Sequence, residues 1–137
     1  YFRENLIGIG GIFFNFNYPQ KIKDWYQTAL GIKTNDYGVL FAFNGFQASR
    51  AYLQLGTFES SSDYFGTDSQ KAMINFRVDN LDALKEHLIQ LNTTICNEIE
   101  EYDYGKFLHI LDPEGNRIEL WEPEDEAFDS DTYVKMI

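Results

Sequence analysis

Three side chains that could share a proton or hold an ion lie close together in the chain: His109, Arg117 and Glu119. They flank the string D-P-E-G-N at 112–116. Pro113 fixes φ for a turn there, Gly115 supplies a left-handed position, and Asp112 and Asn116 can bond their own backbone. Residues 102–123 (YDYGKFLHILDPEGNRIELWEP) therefore read as two antiparallel strands joined by that loop. In this register Leu111 faces Arg117 and His109 faces Glu119. Side chains alternate along a strand, so Phe107, His109, Arg117, Glu119 and Trp121 share one face, and the aliphatic Leu108, Ile110, Ile118 and Leu120 share the other. The aliphatic face must pack on a core. On the polar face, an imidazole opposite a carboxylate can handle a proton on a bound ligand, or it can belong to a satisfied ion-pair network that catalyses nothing.

The hairpin closes a pattern that occurs twice. Residues 6–17 (LIGIGGIFFNFN) form a β-rich run, with Ile12, Phe14 and Phe16 pointing one way and Gly11, Phe13 and Asn15 the other. Pro19 opens a helix whose stripe is Ile22, Trp25, Tyr26, Ala29 and Leu30, and Gly31 caps it. Strand-like material follows at 32–35, 37–44 and 51–58, with Tyr52 and Gln54 opposite Leu53 and Leu55. The order then recurs. A strand at 72–79 puts Ile74, Phe76 and Val78 on the core face and Met73, Asn75 and Arg77 opposite. Asn80 caps a helix with a stripe of Leu81, Leu84, Leu88 and Leu91, and a strand at 93–101 leads into the hairpin. Gly11 corresponds to Met73 and Pro19 to Leu81. The predicted fold is α+β: two tandem β-α-β-β-β units, 6–58 and 72–123, forming curved mixed sheets around a central cleft with the helices on the convex outside. Together they make one domain over 1–123. A polar linker at 59–71 joins them, and an acidic tail at 124–137 follows. Neither unit has enough core to stand alone, so the two are expected side by side or exchanged between chains. The Trp25–Tyr26 pair and the leucine stripe read as packing.

Composition narrows the function classes. A hydrophobic fraction of 44% with 12 Phe, 9 Tyr and 2 Trp requires a substantial core. A net charge of −11, from 22 acidic and 11 basic residues, argues against nucleic acid and would attract a cationic small molecule. The apolar runs fall short of the ~20 residues of a membrane span. Nothing near Tyr1 reads as a secretory leader, and the lone Cys96 permits no internal disulfide, so a cytoplasmic protein is expected.

On WYQTALGI at 25–32, VDNLDAL at 78–84 and LDPEGNRIELWEP at 111–123, the chain resembles the vicinal oxygen chelate superfamily of glyoxalases, bleomycin-resistance proteins and extradiol dioxygenases. The resemblance implies a glyoxalase-like fold and a homodimer. It also implies a divalent metal held by residues on the first and last strands of each unit. Carried over by position, those places are Gly11, Gln54, Met73 and Glu119. Glycine offers no donor, a thioether is a poor ligand for such ions, and Gln54 offers one neutral oxygen. Glu119 alone is a full ligand. No metal, no cofactor and no catalytic residue are therefore assigned.

What remains is a predicted pocket without its metal, lined by strand parity with Phe13, Asn15, Tyr52, Gln54, Asn75, Arg77, His109, Arg117, Glu119 and Trp121. The reading adopted is a small-molecule-binding protein with an incomplete metal site, its ligand cationic or aromatic. Two alternatives stand beside it. One is a metal-dependent lyase, isomerase or dioxygenase that uses Glu119, His109 and Gln54. The other is an interaction module whose pocket is filled by its own side chains.

Overall fold

The computed structural model describes residues 6–43, 51–124 and 134–136. The chain forms two compact units, one of Tyr1–Gly10 with Met73–Ala127 and one of Gly11–Ala72 with Phe128–Ile137. Strand β1 (Leu6–Phe16) gives its start to the first and its remainder to the second.

In the first unit β4 (Ala72–Val78) leads through helix α2 (Leu81–Gln90) to β5 (Glu100–Tyr102), β6 (Gly105–Leu111) and β7 (Arg117–Pro123). The sheet order is β5-β6-β7-β4-β1. β6 and β7 are antiparallel, with His109 opposite Glu119, Phe107 opposite Trp121 and Leu108 opposite Leu120, which is the register expected from the turn. The turn is held by Asp112, whose Oδ1 accepts from the backbone N–H groups of Glu114 and Asn116 (both 2.9 Å) and whose Oδ2 accepts from the Asn116 side chain (3.0 Å). β7 pairs parallel with β4, placing Asn75 beside Glu119 and Arg77 beside Trp121.

The aliphatic face of the hairpin packs as predicted. Leu108, Ile110 and Leu120 form a buried cluster with Val78, Leu81 and Leu84, and Phe76, Leu88 and Ile118 pack against it. Asn80 caps α2 by accepting from the Ala83 N–H (3.1 Å), and Glu122 Oε1 takes the Leu81 N–H (2.8 Å). Ile74 departs from the pattern. It is 44% exposed, while Met73, Asn75 and Arg77 on the opposite face are buried. The strand predicted at 93–101 reduces to β5 and a single bridge between Ile95 and Ile110.

In the second unit α1 (Pro19–Leu30) begins at a proline and ends on Gly31 at φ 66°. β2 (Gly38–Phe43), β3 (Ala51–Glu59) and β8 (Val134–Met136) complete the order β1-β3-β2-β8. β3 runs parallel to β1 and antiparallel to β2, and β8 pairs parallel with β2. The strand predicted at 32–35 survives only as a bridge from Asn35 to Gly38. No residue of α1 is buried, and Trp25 is 56% exposed, so its stripe is not the packing face expected. The segment 59–71 folds back on its own unit: Phe65 is buried, and Phe58 stacks on Tyr64 at 5.1 Å. Each unit thus carries one helix and both kinds of strand pairing, the α+β arrangement predicted. Of the acidic tail, Glu124 and 134–136 are described, and the rest lies outside the described residues. Among those residues no helix is long and apolar enough to cross a membrane.

Asp112 ties the hairpin to pH. The Asn116 side-chain bond, then the backbone bonds from Asn116, Glu114 and Gly115, hold its carboxyl below the usual range. A folded value below the unfolded one means stability present above the ordinary Asp range and lost as pH falls through the lowered value. The stability difference between wild type and Asp112→Asn, followed by urea unfolding, is expected to be constant near neutrality and to shrink in acid. A difference independent of pH would show that the turn does not depend on the ionised carboxylate.

Candidate functional site

The polar face of the first unit is assembled by pairing on both sides of β7. Glu119 is 1% exposed, and an ionised carboxylate so buried must find donors within the protein. Its Oε1 accepts from Asn75 Nδ2 at 2.6 Å, across the parallel pair. Its Oε2 lies 2.7 Å from His109 Nε2, across the antiparallel pair. On the far side of the ring, His109 Nδ1 lies 3.0 Å from Arg117 Nη1. Guanidinium nitrogens only donate, so Nδ1 is the acceptor, and Nε2 carries the proton that goes to Glu119. The chain of bonds runs Arg117 to His109 to Glu119, with Asn75 on the remaining oxygen.

The backbone around His109 is fixed as well. Its N–H donates to Asn97 Oδ1 (2.9 Å), and its carbonyl accepts from the Cys96 N–H (2.9 Å). Beside the relay, Trp121 stacks on Phe107 (5.7 Å between centroids, 9°) and donates its indole N–H to the Tyr104 carbonyl (3.0 Å). The Arg77 guanidinium lies over Trp121 at 5.2 Å, a cation–π geometry. Gly10 of β1 is the floor. A Cβ there would collide with Asn75 Oδ1 and stand 2.8 Å from Trp121 Cε3 and 2.9 Å from Arg77 Cγ. Asn75 Oδ1 itself is buried without a hydrogen-bond partner among the described residues.

Six of the predicted residues are therefore brought together: Glu119, His109, Asn75, Arg117, Arg77 and Trp121. The other four lie in the second unit. Gln54 pairs with Gly11, and its Nε2 donates to the Leu55 carbonyl (3.1 Å). Tyr52 is buried with Leu40 and Ala42. Asn15 Nδ2 donates to the Gln70 carbonyl (3.3 Å). Phe13 is buried, its ring 5.2 Å from that of Phe58. That ring also fills the place a side chain at Gly11 would take, since a Cβ there would be 2.6 Å from Phe13 Cε1 and 2.9 Å from the Gln54 carbonyl oxygen.

These contacts test the four places where the resemblance implies a metal. Gly11 has no donor, and its side-chain space is occupied. Met73 is buried and offers only a thioether. Both oxygens of Glu119 are engaged, and so are both ring nitrogens of His109. Among the described residues no three His, Cys, Asp or Glu side chains gather. Within the first unit, the donors present do not fit a divalent ion. The sequence reading put Asn75 on the right face but gave no register between its strand and that of Glu119, and the structure sets the two side by side. Only the parallel register reveals it.

Removing the ring tests the relay as a structural unit. His109→Ala takes a donor from buried Glu119 and an acceptor from Arg117, and is expected to destabilise by about 3 kcal/mol in urea unfolding. A loss under about 0.5 kcal/mol, ordinary for a surface site, would contradict the network.

A family model described as the glyoxalase/bleomycin resistance protein/dioxygenase superfamily matches residues 8–120. Among solved structures, methylmalonyl-CoA epimerase from Mycobacterium tuberculosis is 21% identical, with a TM-score of 0.58, over 93% of this chain and 95% of that one. A Streptomyces coelicolor methylmalonyl-CoA epimerase is 14% identical, with a TM-score of 0.63, over 87% and 99%. A superfamily member from Vibrio splendidus 12B01 is 10% identical, with a TM-score of 0.52, over 83% and 97%. At such identities the likeness is one of fold alone. No curated protein matches the chain.

Proposed function

The chain belongs to the glyoxalase/bleomycin resistance protein/dioxygenase superfamily, and from that premise we propose that it binds a small organic molecule without the help of a metal ion. The observation that carries this reading is the commitment of Glu119, the one strong donor among the four ligand places, to Asn75 and His109. The ligand is aromatic rather than cationic in this reading, because the chain's own Arg77 already takes the cation position on Trp121. A metal-dependent lyase, isomerase or dioxygenase would need His109 and Glu119 to exchange these bonds for coordination.

The reading includes a homodimer in the cytoplasm. Leu6, Ile7 and Ile9 on β1 and Ile74 on β4 are between 44% and 58% exposed, apolar surface of the kind a partner copy covers. A lone cysteine suits a reducing compartment.

A second reading is favoured by a specific observation. Asn75, Arg77, His109, Glu119 and Trp121 are each 5% exposed or less, so this face can equally be a packed interior with no ligand. Native mass spectrometry of protein purified without chelator separates the readings. Twice the chain mass plus a small organic adduct, free of metal, is expected. Stoichiometric Zn, Ni, Fe or Mn would overturn the proposal. An adduct-free protein whose melting point no compound in an aromatic library raises would favour the packed module.

A further inference from the structure

We propose that Arg117 is the cation that orients the His109–Glu119 pair, as Arg77 is the cation over Trp121. Acting through His109, Arg117 supplies Glu119 with the positive charge that a divalent ion would otherwise bring, and so closes the site to metals. The inference rests on the metal-independent reading above but makes a sharper claim, about one proton and one guanidinium.

The geometry fixes the proton. Arg117 Nη1 is 3.0 Å from His109 Nδ1 and can only donate to it. A neutral imidazole has a single N–H, which therefore sits on Nε2, 2.7 Å from Glu119 Oε2. The guanidinium polarises the ring, and the polarised ring is a stronger donor to the carboxylate. The ring is 4% exposed and bonded at both nitrogens, on a backbone fixed by bonds to Cys96 and Asn97. A metal ion binds imidazole through its lone pair, and the only lone pair here points at a guanidinium. An ion at Nδ1 would meet a like charge. An ion at Nε2 would have to displace a proton already bonded to Glu119. The carboxylate's other oxygen is held by Asn75 at 2.6 Å, and Gly10 leaves the room that lets the amide sit there. An acid otherwise suited to a metal thus has both oxygens engaged by donors from within the chain.

The test reads the ring directly. The chain has two histidines, so His87→Gln leaves His109 as the sole imidazole. Long-range proton–nitrogen correlation on the labelled variant near neutral pH is expected to show a protonated Nε2 and an unprotonated Nδ1. A protonated Nδ1, alone or with Nε2, overturns the inference. In parallel, Ni2+ is expected to leave the melting temperature of wild type unchanged and to raise that of Arg117→Met by about 5 °C. Arg117→Lys, which keeps a cationic donor, is expected to stay silent. A Ni2+ response in wild type, or a folded Arg117→Met that ignores Ni2+, also overturns it. Should Arg117→Met fail to fold, the ring spectrum decides alone. The two claims fail separately. A wrong tautomer in a metal-free protein removes this inference and leaves small-molecule binding standing, whereas a metal bound by wild type removes both.

Discussion

A carboxylate 1% exposed in mid-strand sets the terms for its unit. An isolated buried charge of this kind is destabilising by several kcal/mol unless donors come to it. Two strand pairings meet the demand from opposite sides. The antiparallel partner contributes His109, the parallel partner contributes Asn75, and Arg117 completes the circuit from the same strand as Glu119. Gly10 follows from the same need, because any side chain there would push Asn75 off the carboxylate. The hydrophobic layer behind, from Leu108 and Leu120 to the leucines of α2, keeps these strands in register.

How much of this was readable depended on whether the information was local. The His109–Glu119 pair followed from one turn, because Pro113, Gly115, Asp112 and Asn116 set a loop length and a loop length sets antiparallel register. The caps of both helices were equally local. Asn75 beside Glu119 was not, since a slide of two residues along a parallel pair keeps every side chain on its face and leaves no mark in the sequence. Parity placed Asn75 on the right face, and only tertiary pairing chose it over Met73. Periodicity misjudged α1 for a different reason: a stripe shows which residues share a helix face, not whether another element covers it, and Trp25 stays exposed. The pairing of β8 with β2 had no local signal at all.

Membership of the superfamily and the chemistry of the site therefore separate cleanly. The fold is carried by strand order, turns and caps, and the fold is what this chain shares with proteins 10–21% identical to it. The chemistry is carried by a few inward side chains. In the second unit the place at Gly11 is filled by the ring of Phe13. In the first unit the acid, Glu119, is bonded to Asn75 and His109. The same backbone that could present ligands to an ion here presents a hydrogen-bonded relay and an aromatic stack.

Anomalous diffraction from crystals soaked in Ni2+ tests the commitment of Glu119 most directly. The account predicts no anomalous peak at its carboxylate, with one oxygen still against Asn75 and the other against His109. A peak bridging Glu119 and a turned His109 ring would contradict it.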